Sequence, residues 1–196
     1  MQLFLSDSLV GLFIQVLPIS LLAALIYLAA RCTLLKKRSC VIHWPAELLR
    51  AAFVCYLTGL INLVLMPANF WLYFWYYVFT GHSGGELGPL FSGNFNLIPT
   101  FVRYLTGEFA GGLGSWVATM LAGNLLMLVP MGVFLPLAFP KLQRQHLWLA
   151  AVIPLAIELL QPIMGRSFDT DDLICNTLGI LIGWGLAALL QRIIKK

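Results

Sequence analysis

Charged residues are scarce in this sequence. Only 10% of its 196 residues are Asp, Glu, Lys or Arg, whereas 60% are hydrophobic, and the mean hydropathy is +0.89. So few charges cannot cover a water-exposed surface, and the excess apolar surface therefore has to face lipid. The composition excludes an ordinary soluble domain and predicts an integral membrane protein.

Several signatures of metal, nucleotide and nucleic-acid chemistry are also missing. The sequence contains no H-E-x-x-H and no P-loop, and its four cysteines form no C-x-x-C pair and no obvious disulfide outside the membrane. No stripe of basic residues is interleaved with aromatic ones, as nucleic-acid binding would favour. The sequence therefore gives little support to a bound metal, a cofactor or a nucleic-acid partner.

Five nearly uncharged runs are long enough to cross a membrane, which takes roughly 20 helical residues for about 30 Å of hydrocarbon. They cover residues 9–30, 47–66, 116–139, 147–164 and 173–191. These runs predict an all-α bundle of five transmembrane helices. The first run is expected to stay as an anchor, because it lacks the basic segment that precedes the core of a cleaved signal peptide.

The basic residues sort to one side of this predicted topology. Ten of the twelve lie between spans one and two, between spans three and four, or after span five: Arg31, Lys36, Lys37, Arg38, Arg50, Lys141, Arg144, Arg192, Lys195 and Lys196. The other side holds only Arg103 and Arg166 but most of the acidic residues. Because positive residues stay preferentially in the cytoplasm, the pattern predicts an outer N-terminus and a cytoplasmic C-terminus.

The long connection between spans two and three is expected to be functional or to hold structure of its own. It begins with the aromatic segment 71–79, which is typical of an interfacial aromatic belt but would also suit an aromatic or lipidic ligand. A stretch rich in glycine and proline follows. Beyond it, apolar residues recur at helical spacing beside Arg103 and predict a short helix lying in the interface: Phe101, Val102, Tyr104, Leu105 and Phe109.

Span three contains one polar side chain and two prolines, and span five contains a pair of spaced glycines. The amide of Asn124 needs a partner in hydrocarbon, as glue between helices or as part of a site. Pro130 and Pro136 each leave a backbone carbonyl free and favour a bend. Gly179 and Gly183 form a G-x-x-x-G face, which predicts close contact with another helix.

The most acidic stretch lies where spans four and five meet. Glu158 and Gln161 are three residues apart and share a helix face, as do the acids that open span five. Two antiparallel helices joined by a tight loop would bring these faces together. The expected result is a small acid-rich pocket with one arginine at outer-leaflet depth, formed by Glu158, Gln161, Arg166, Asp169, Asp172 and Asn176.

Simpler roles exist for some of these acids. Asp169 or Thr170 could cap the last helix, and Asp171 and Asp172 are favoured by the positive end of its dipole. Glu158 differs, because an acid within a span costs about 2.5–3.5 kcal/mol on insertion scales and is by default a functional-site candidate. It requires an arginine, an amide or a proton as its partner.

The order of the polar motifs resembles that of the VanZ-like membrane proteins. The motifs are the NLIP segment 96–99, Gly123-Asn124, the segments 129–132 and 135–136, Glu158-x-x-Gln161, Arg166, Asp169, and Asp172 with Asn176-Thr177-Leu178-Gly179. The resemblance covers about residues 94–185 and divides the chain into an N-terminal region, 1–93, and a VanZ-like core, 94–196. Thr100 departs from the aromatic residue that often follows the NLIP segment.

This resemblance implies a bacterial plasma-membrane protein, whose family namesake is associated with resistance to the lipoglycopeptide teicoplanin. Three functions stay open: binding of such a drug or of a lipid-linked cell-wall precursor, enzymatic modification of a wall precursor or envelope lipid, and lipid transport. Membrane lipids are the expected partners. The binding residues would be Asn96, Arg103, Asn124, Glu158, Gln161, Arg166, Asp169, Asp172 and Asn176. Acid–base chemistry would fall to Glu158 and one of Asp169 or Asp172.

Overall fold

The computed structural model describes residues 2–108, 115–141 and 145–194. Phe109, Arg144, Lys195 and Lys196, which entered the sequence predictions, lie outside these ranges. The chain forms two compact units, Met1–Pro89 and Leu90–Lys196.

The first unit is built from three helices, preceded by a 3-10 turn at Gln2–Leu5. The helices are α1 (Leu9–Lys37), α2 (Trp44–Val64) and α3 (Phe70–Thr80). Ser8 caps α1 by accepting a hydrogen bond from the Gly11 backbone N–H at 3.1 Å, which satisfies one of the free donors at the helix start. Proline follows the first residue of α2, where its missing N–H does no harm.

A buried glutamine and an aromatic cluster join the N-terminal turn, α1 and α3. The Gln15 side-chain amide donates to the carbonyls of Phe4 and Ser6 at 3.1 and 2.9 Å, and the backbone carbonyl of Gln15 accepts from Trp75 Nε1 at 2.7 Å. The rings of Phe4 and Trp75 meet edge-on, with centroids 5.2 Å apart. The aromatic segment therefore forms a helix packed within its own unit; its proposed roles as an interfacial belt or a ligand surface stay predictions.

In its described residues, the second unit contains four α-helices and two short strands. They are β1 (Phe95–Asn96), α4 (Thr100–Leu105), α5 (Ser115–Ala138), α6 (His146–Leu160), β2 (Phe168–Asp169) and α7 (Thr170–Ile194), with a 3-10 turn at Gln161–Met164 after α6. The predicted helix after the glycine-rich stretch is present as α4. Its position in the membrane interface stays a prediction.

Helices α5 and α7 approach each other so closely that side chains are excluded at their glycines. A Cβ atom on Gly179 would collide with the Leu125 carbonyl, and one on Gly183 with the Val129 carbonyl. Gly132 of α5 is pressed against the Ile180 carbonyl in the same way. The close helix contact predicted from the G-x-x-x-G pair is confirmed, with Gly132 as its counterpart on the opposing helix.

The two short strands pair in parallel and bring the chain before α4 beside the start of α7. Phe95 lies opposite Phe168, and Asn96 opposite Asp169. The pairing continues from a tight contact at Gly93, where a Cβ atom would collide with the Arg166 carbonyl. Strands of two residues are too short to produce an alternating pattern, which explains why the sequence did not predict them.

Among the described residues, four helices are long and apolar enough to cross a membrane. They cover Val10–Lys37, Trp44–Val64, Val117–Ala138 and Thr170–Ile193, and a shorter apolar helical stretch covers Trp148–Met164. The protein is therefore a multi-pass membrane protein. The shorter stretch corresponds to the predicted span four, so that a fifth crossing stays a prediction, as does the orientation of the termini.

Candidate functional site

The candidate site of the second unit forms where α6 ends and α7 begins. Glu158, in the last turn of α6, is completely buried, with 0% of its surface exposed. Its Oε2 accepts a hydrogen bond from the Asp169 backbone N–H at 3.1 Å. Its Oε1 is buried and has no hydrogen-bond partner within the described part of the chain. One carboxylate oxygen of Glu158 is thus held in place and the other is left open.

Gln161 supports the same carboxylate from the adjoining 3-10 turn. With its amide oriented so that nitrogen faces acceptors, Gln161 donates to Glu158 Oε2 and to the Ser167 carbonyl, both at 3.0 Å. The chain then turns at Gly165, whose φ of 74° favours glycine, and the Arg166 N–H returns to the Gln161 carbonyl at 3.0 Å. The predicted sharing of one helix face by Glu158 and Gln161 is realised as a direct contact.

Asp169 connects three segments of the unit. Its Oδ1 accepts from the Asp171 N–H at 2.9 Å, the geometry of an N-cap on α7. Its Oδ2 accepts from Asn96 Nδ2 at 2.9 Å, and Asn96 Oδ1 in turn accepts from Arg103 at 2.8 Å. Asp169 therefore caps α7 as the simpler interpretation predicted, and it also anchors a polar chain that leads through β1 to α4.

Asp171 has a role that the sequence did not reveal. It is buried, and its carboxylate accepts from the Thr100 backbone N–H, at 3.0 Å through Oδ1 and 2.8 Å through Oδ2, and from the Thr100 hydroxyl. Thr100 is the first residue of α4. Asp171 therefore holds the N-terminus of α4 as well as lying in the first turn of α7. A signal was available at Thr100, whose hydroxyl can donate to a carboxylate.

Asp172 and Asn124 link the polar layer to α5. Asn124 Nδ2 donates to Asp172 Oδ1. Asn176 lies one turn further along α7; it is buried, and its Oδ1 has no partner among the residues described. Asn124 thus acts as polar glue between two helices, which was one of its two predicted roles. Its partner is a residue of the predicted site itself.

Arg166 lies in the electrostatic field of two carboxylates. Burial lowers the pKa of its guanidinium from the usual value, while the charges of Asp172 and Glu158 raise it. An arginine remains protonated under such opposing influences because its usual pKa is so high. The charges of Asp172 and Glu158 both act on Arg166, and which carboxylate pairs with it stays a prediction.

The predicted site residues are therefore brought together by a set of side-chain contacts. Glu158, Gln161 and Asp169 are in direct contact, Arg166 follows the same turn, Asn96 and Arg103 join through Asp169, and Asn124 joins through Asp172. Within the described ranges, no three His, Cys, Asp or Glu side chains are arranged to hold a metal ion. What the arrangement offers is a buried acceptor, Glu158 Oε1, on a carboxylate whose charge acts on the guanidinium of Arg166.

A hydrolase-like pattern in the first unit escaped the sequence reading. Residues 81–85, Gly-His-Ser-Gly-Gly, match G-x-S-x-G. That motif activates its serine on a sharp turn between a strand and a helix. Here the pattern follows helix α3, and Ser83 Oγ donates to the Gly85 carbonyl at 2.9 Å. The local structure is that of an exposed turn after a helix, and the pattern carries no support for a nucleophile.

Comparison with protein families agrees with the motif order. The family model described as VanZ/LLP1 matches residues 53–191, which is more than half of the chain and begins well before the predicted core at residue 94. No curated protein and no solved structure matches the chain significantly. The family match and the apolar helices together identify the chain as a multi-pass membrane protein that belongs to the VanZ/LLP1 family.

Proposed function

We propose that the protein lowers the susceptibility of a bacterial cell to teicoplanin-type lipoglycopeptides by binding the drug, or the lipid-linked wall component that the drug targets, at an outward-facing junction site. The junction site is the set of side chains between α6 and α7: Glu158, Gln161, Arg166, Asp169 and Asp172. Membership of the VanZ/LLP1 family supports the link to antibiotic resistance.

The open oxygen of Glu158 is the observation that carries the proposal. Buried polar atoms in folded proteins are nearly always hydrogen-bonded, and an exception calls for an explanation such as a ligand. Glu158 Oε1 is such an exception. A hydroxyl or amide N–H of a ligand would satisfy it, while the Arg166 guanidinium beside it would receive a carboxylate or phosphate. Peptide antibiotics and lipid-linked wall precursors both carry these groups.

The apolar surroundings of the site favour a ligand that carries a lipid chain. Leu159 and Leu160 flank Glu158 along α6 and expose 53% and 45% of their surfaces. Teicoplanin has an acyl tail and vancomycin has none. A site at this depth is therefore expected to protect against teicoplanin and to leave vancomycin susceptibility unchanged.

Drug susceptibility of a sensitive Gram-positive host tests the proposal. The host would express the wild type, Glu158→Gln or Arg166→Ala, with membrane abundance measured by blotting. We expect the wild type to raise the inhibitory concentration of teicoplanin and both variants to lose that protection, because each removes one of the two charged groups of the site. Glu86→Gln, which neutralises an exposed acid in the first unit, is the matched control and should keep it.

Two outcomes would contradict the proposal. Equal protection against teicoplanin and vancomycin would remove the argument for a lipid-depth site. Full protection by Glu158→Gln at wild-type abundance would show that the open carboxylate has no part in the effect.

An enzyme acting on a lipid-linked precursor is the second candidate. The observation in its favour is that the Glu158 carboxylate bonds to the backbone N–H of a second acid, Asp169, since two carboxyl groups in different environments can divide the roles of acid and base. Mass spectrometry of envelope lipids from the same strains tests it. New or missing species with the wild type, restored by Glu158→Gln, would favour turnover, whereas an unchanged profile together with drug protection would favour binding.

A further inference from the structure

The first unit contains a second buried acid, and its partners are two arginines. Glu47, in the first turn of α2, has only 3% of its surface exposed. Arg50 donates to its Oε1 at 2.6 Å, Arg31 of α1 donates through Nε at 3.2 Å to its Oε2, and the Tyr27 hydroxyl donates to the same oxygen at 3.3 Å. Glu47 therefore fixes both guanidinium groups at the same place between α1 and α2.

Both arginines keep unused capacity for an anion. A guanidinium has five N–H donors, and Glu47 engages Arg31 through Nε and Arg50 through one terminal nitrogen. The side chains of Arg31 and Arg50 are 37% and 29% exposed, so the pair is accessible from outside the protein. Two guanidinium charges against one carboxylate leave a net charge of +1. A singly charged anion would complete the charge balance.

The position of the pair along the spans matches the depth of lipid headgroups. The two candidate spans that carry it run to Lys37 and from Trp44, so that the pair lies near the ends at which they are connected. Arg31 precedes Lys37 by six residues, or about 9 Å along a helix. Trp44 is 54% exposed, as expected of an aromatic anchor at the interface. Lipid phosphates occupy this level of the bilayer.

We propose that Arg31 and Arg50, held in place by Glu47, bind the phosphate of an anionic phospholipid. Basic pockets between transmembrane helices recognise lipid headgroups in this way, and the planar guanidinium matches two phosphate oxygens at once. Glu47 acts as a positioning residue, because it orients the donors without meeting the phosphate. This lipid site lies in a different unit from the junction site. Its test therefore does not depend on whether the proposed function is correct.

Charge-conserving variants test the site against general attraction to the membrane. The full-length protein would be placed in nanodiscs of phosphatidylglycerol and phosphatidylcholine, and the lipids that it retains would be counted by native mass spectrometry. The double variant Arg31→Lys/Arg50→Lys keeps the net charge but loses the two planar guanidinium groups. We expect its preference for phosphatidylglycerol to fall about tenfold, since a lysine ammonium cannot make the bidentate contact.

Arg38→Lys is the matched control. It makes the same chemical change at an exposed arginine in the connection between α1 and α2. It should keep the wild-type preference. Unfolding temperatures in phosphatidylcholine alone verify that each variant is folded, and the single variant Arg50→Lys repeats the measurement with a smaller perturbation. An unchanged preference in the folded double variant would overturn the proposal, since a diffuse positive charge would then account for retention.

A separate experiment distinguishes a lipid phosphate from a soluble anion as the ligand of this site. Inorganic phosphate would be added to the detergent-solubilised protein, and its effect on the unfolding temperature compared with that of phosphatidylglycerol. The lipid should stabilise the wild type but not the double variant, and inorganic phosphate should stabilise neither. Equal stabilisation of the wild type by inorganic phosphate would overturn the lipid assignment in favour of a site for a soluble anion.

Discussion

Each unit of the protein buries one glutamate near a helix end, and the two are treated in different ways. Glu47 has donors at both of its oxygens: two arginines and a tyrosine. Glu158 is more deeply buried and has donors at Oε2, whereas its Oε1 has no partner within the described ranges. An acid whose oxygens all have donors stabilises its surroundings, whereas an unpartnered oxygen keeps the capacity to accept a further hydrogen bond. Burial alone would have assigned both to the same class.

The stability of the first unit should depend strongly on its glutamate. Glu47→Gln removes the charge that balances Arg31 and Arg50, and we expect unfolding to become easier by about 3 kcal/mol, at the low end for loss of one partner from a buried ion pair because both arginines are partly exposed. Unfolding of the purified protein by denaturant in a fixed detergent would measure it. Glu86→Gln, at an exposed acid of the same unit, should change nothing. A smaller loss of unfolding free energy in Glu47→Gln than in Glu158→Gln would contradict the structural role assigned to Glu47.

Helix α7, which carries Asp172 of the junction site, packs closely against α5. A single methyl group added at this contact should destabilise the unit. Gly183→Ala places a Cβ atom against the Val129 carbonyl, and we expect a loss of about 2 kcal/mol from overpacking. Gly185→Ala on the same helix has nothing within 4 Å of its new Cβ atom and should be neutral. The same unfolding assay applies. Equal effects of the two alanines would mean that the close approach does not contribute to stability.

The smallest effect on stability is expected at the open acid. Glu158→Gln keeps an acceptor for the Asp169 N–H and replaces the unpartnered oxygen, so that its cost should be below about 1 kcal/mol, the range of a single hydrogen bond. Protection against teicoplanin should nevertheless be lost. Thermal unfolding of the variant, measured beside its drug susceptibility, separates the two effects. A strongly destabilised variant would make Glu158 a structural residue like Glu47.

Local spacing predicted much of the candidate site. Glu158 and Gln161 were placed on one helix face because they are three residues apart. In the structure, the Gln161 amide donates to Oε2 of Glu158. Asp169 or Thr170 was expected to cap the last helix, and Asp169 has the geometry of that cap. These relations extend over a few residues within one helix or turn, where the geometry of the backbone leaves few alternatives.

Contacts between distant segments were less accessible. Asp171 was assigned to the dipole of its own helix, yet its carboxylate holds Thr100, 71 residues earlier in the chain. The pairing of Asn96 with Asp169 also joins distant segments of the chain. It could not be predicted, since strands of two residues carry no periodic pattern. Glu47 was not among the predicted site residues, because its partner Arg31 comes to it from another helix.

The sequence by itself determined that this is a helical membrane protein of the VanZ/LLP1 family with an acid-rich junction near its C-terminal helix, because hydropathy and helical spacing are properties of short segments. The tertiary structure alone decided which buried acid is neutralised and which keeps an open oxygen. That distinction depends on where donors from other helices and turns arrive after folding. The donors reach Glu47 from α1 and α2, whereas within the described ranges they reach Glu158 at only one of its oxygens.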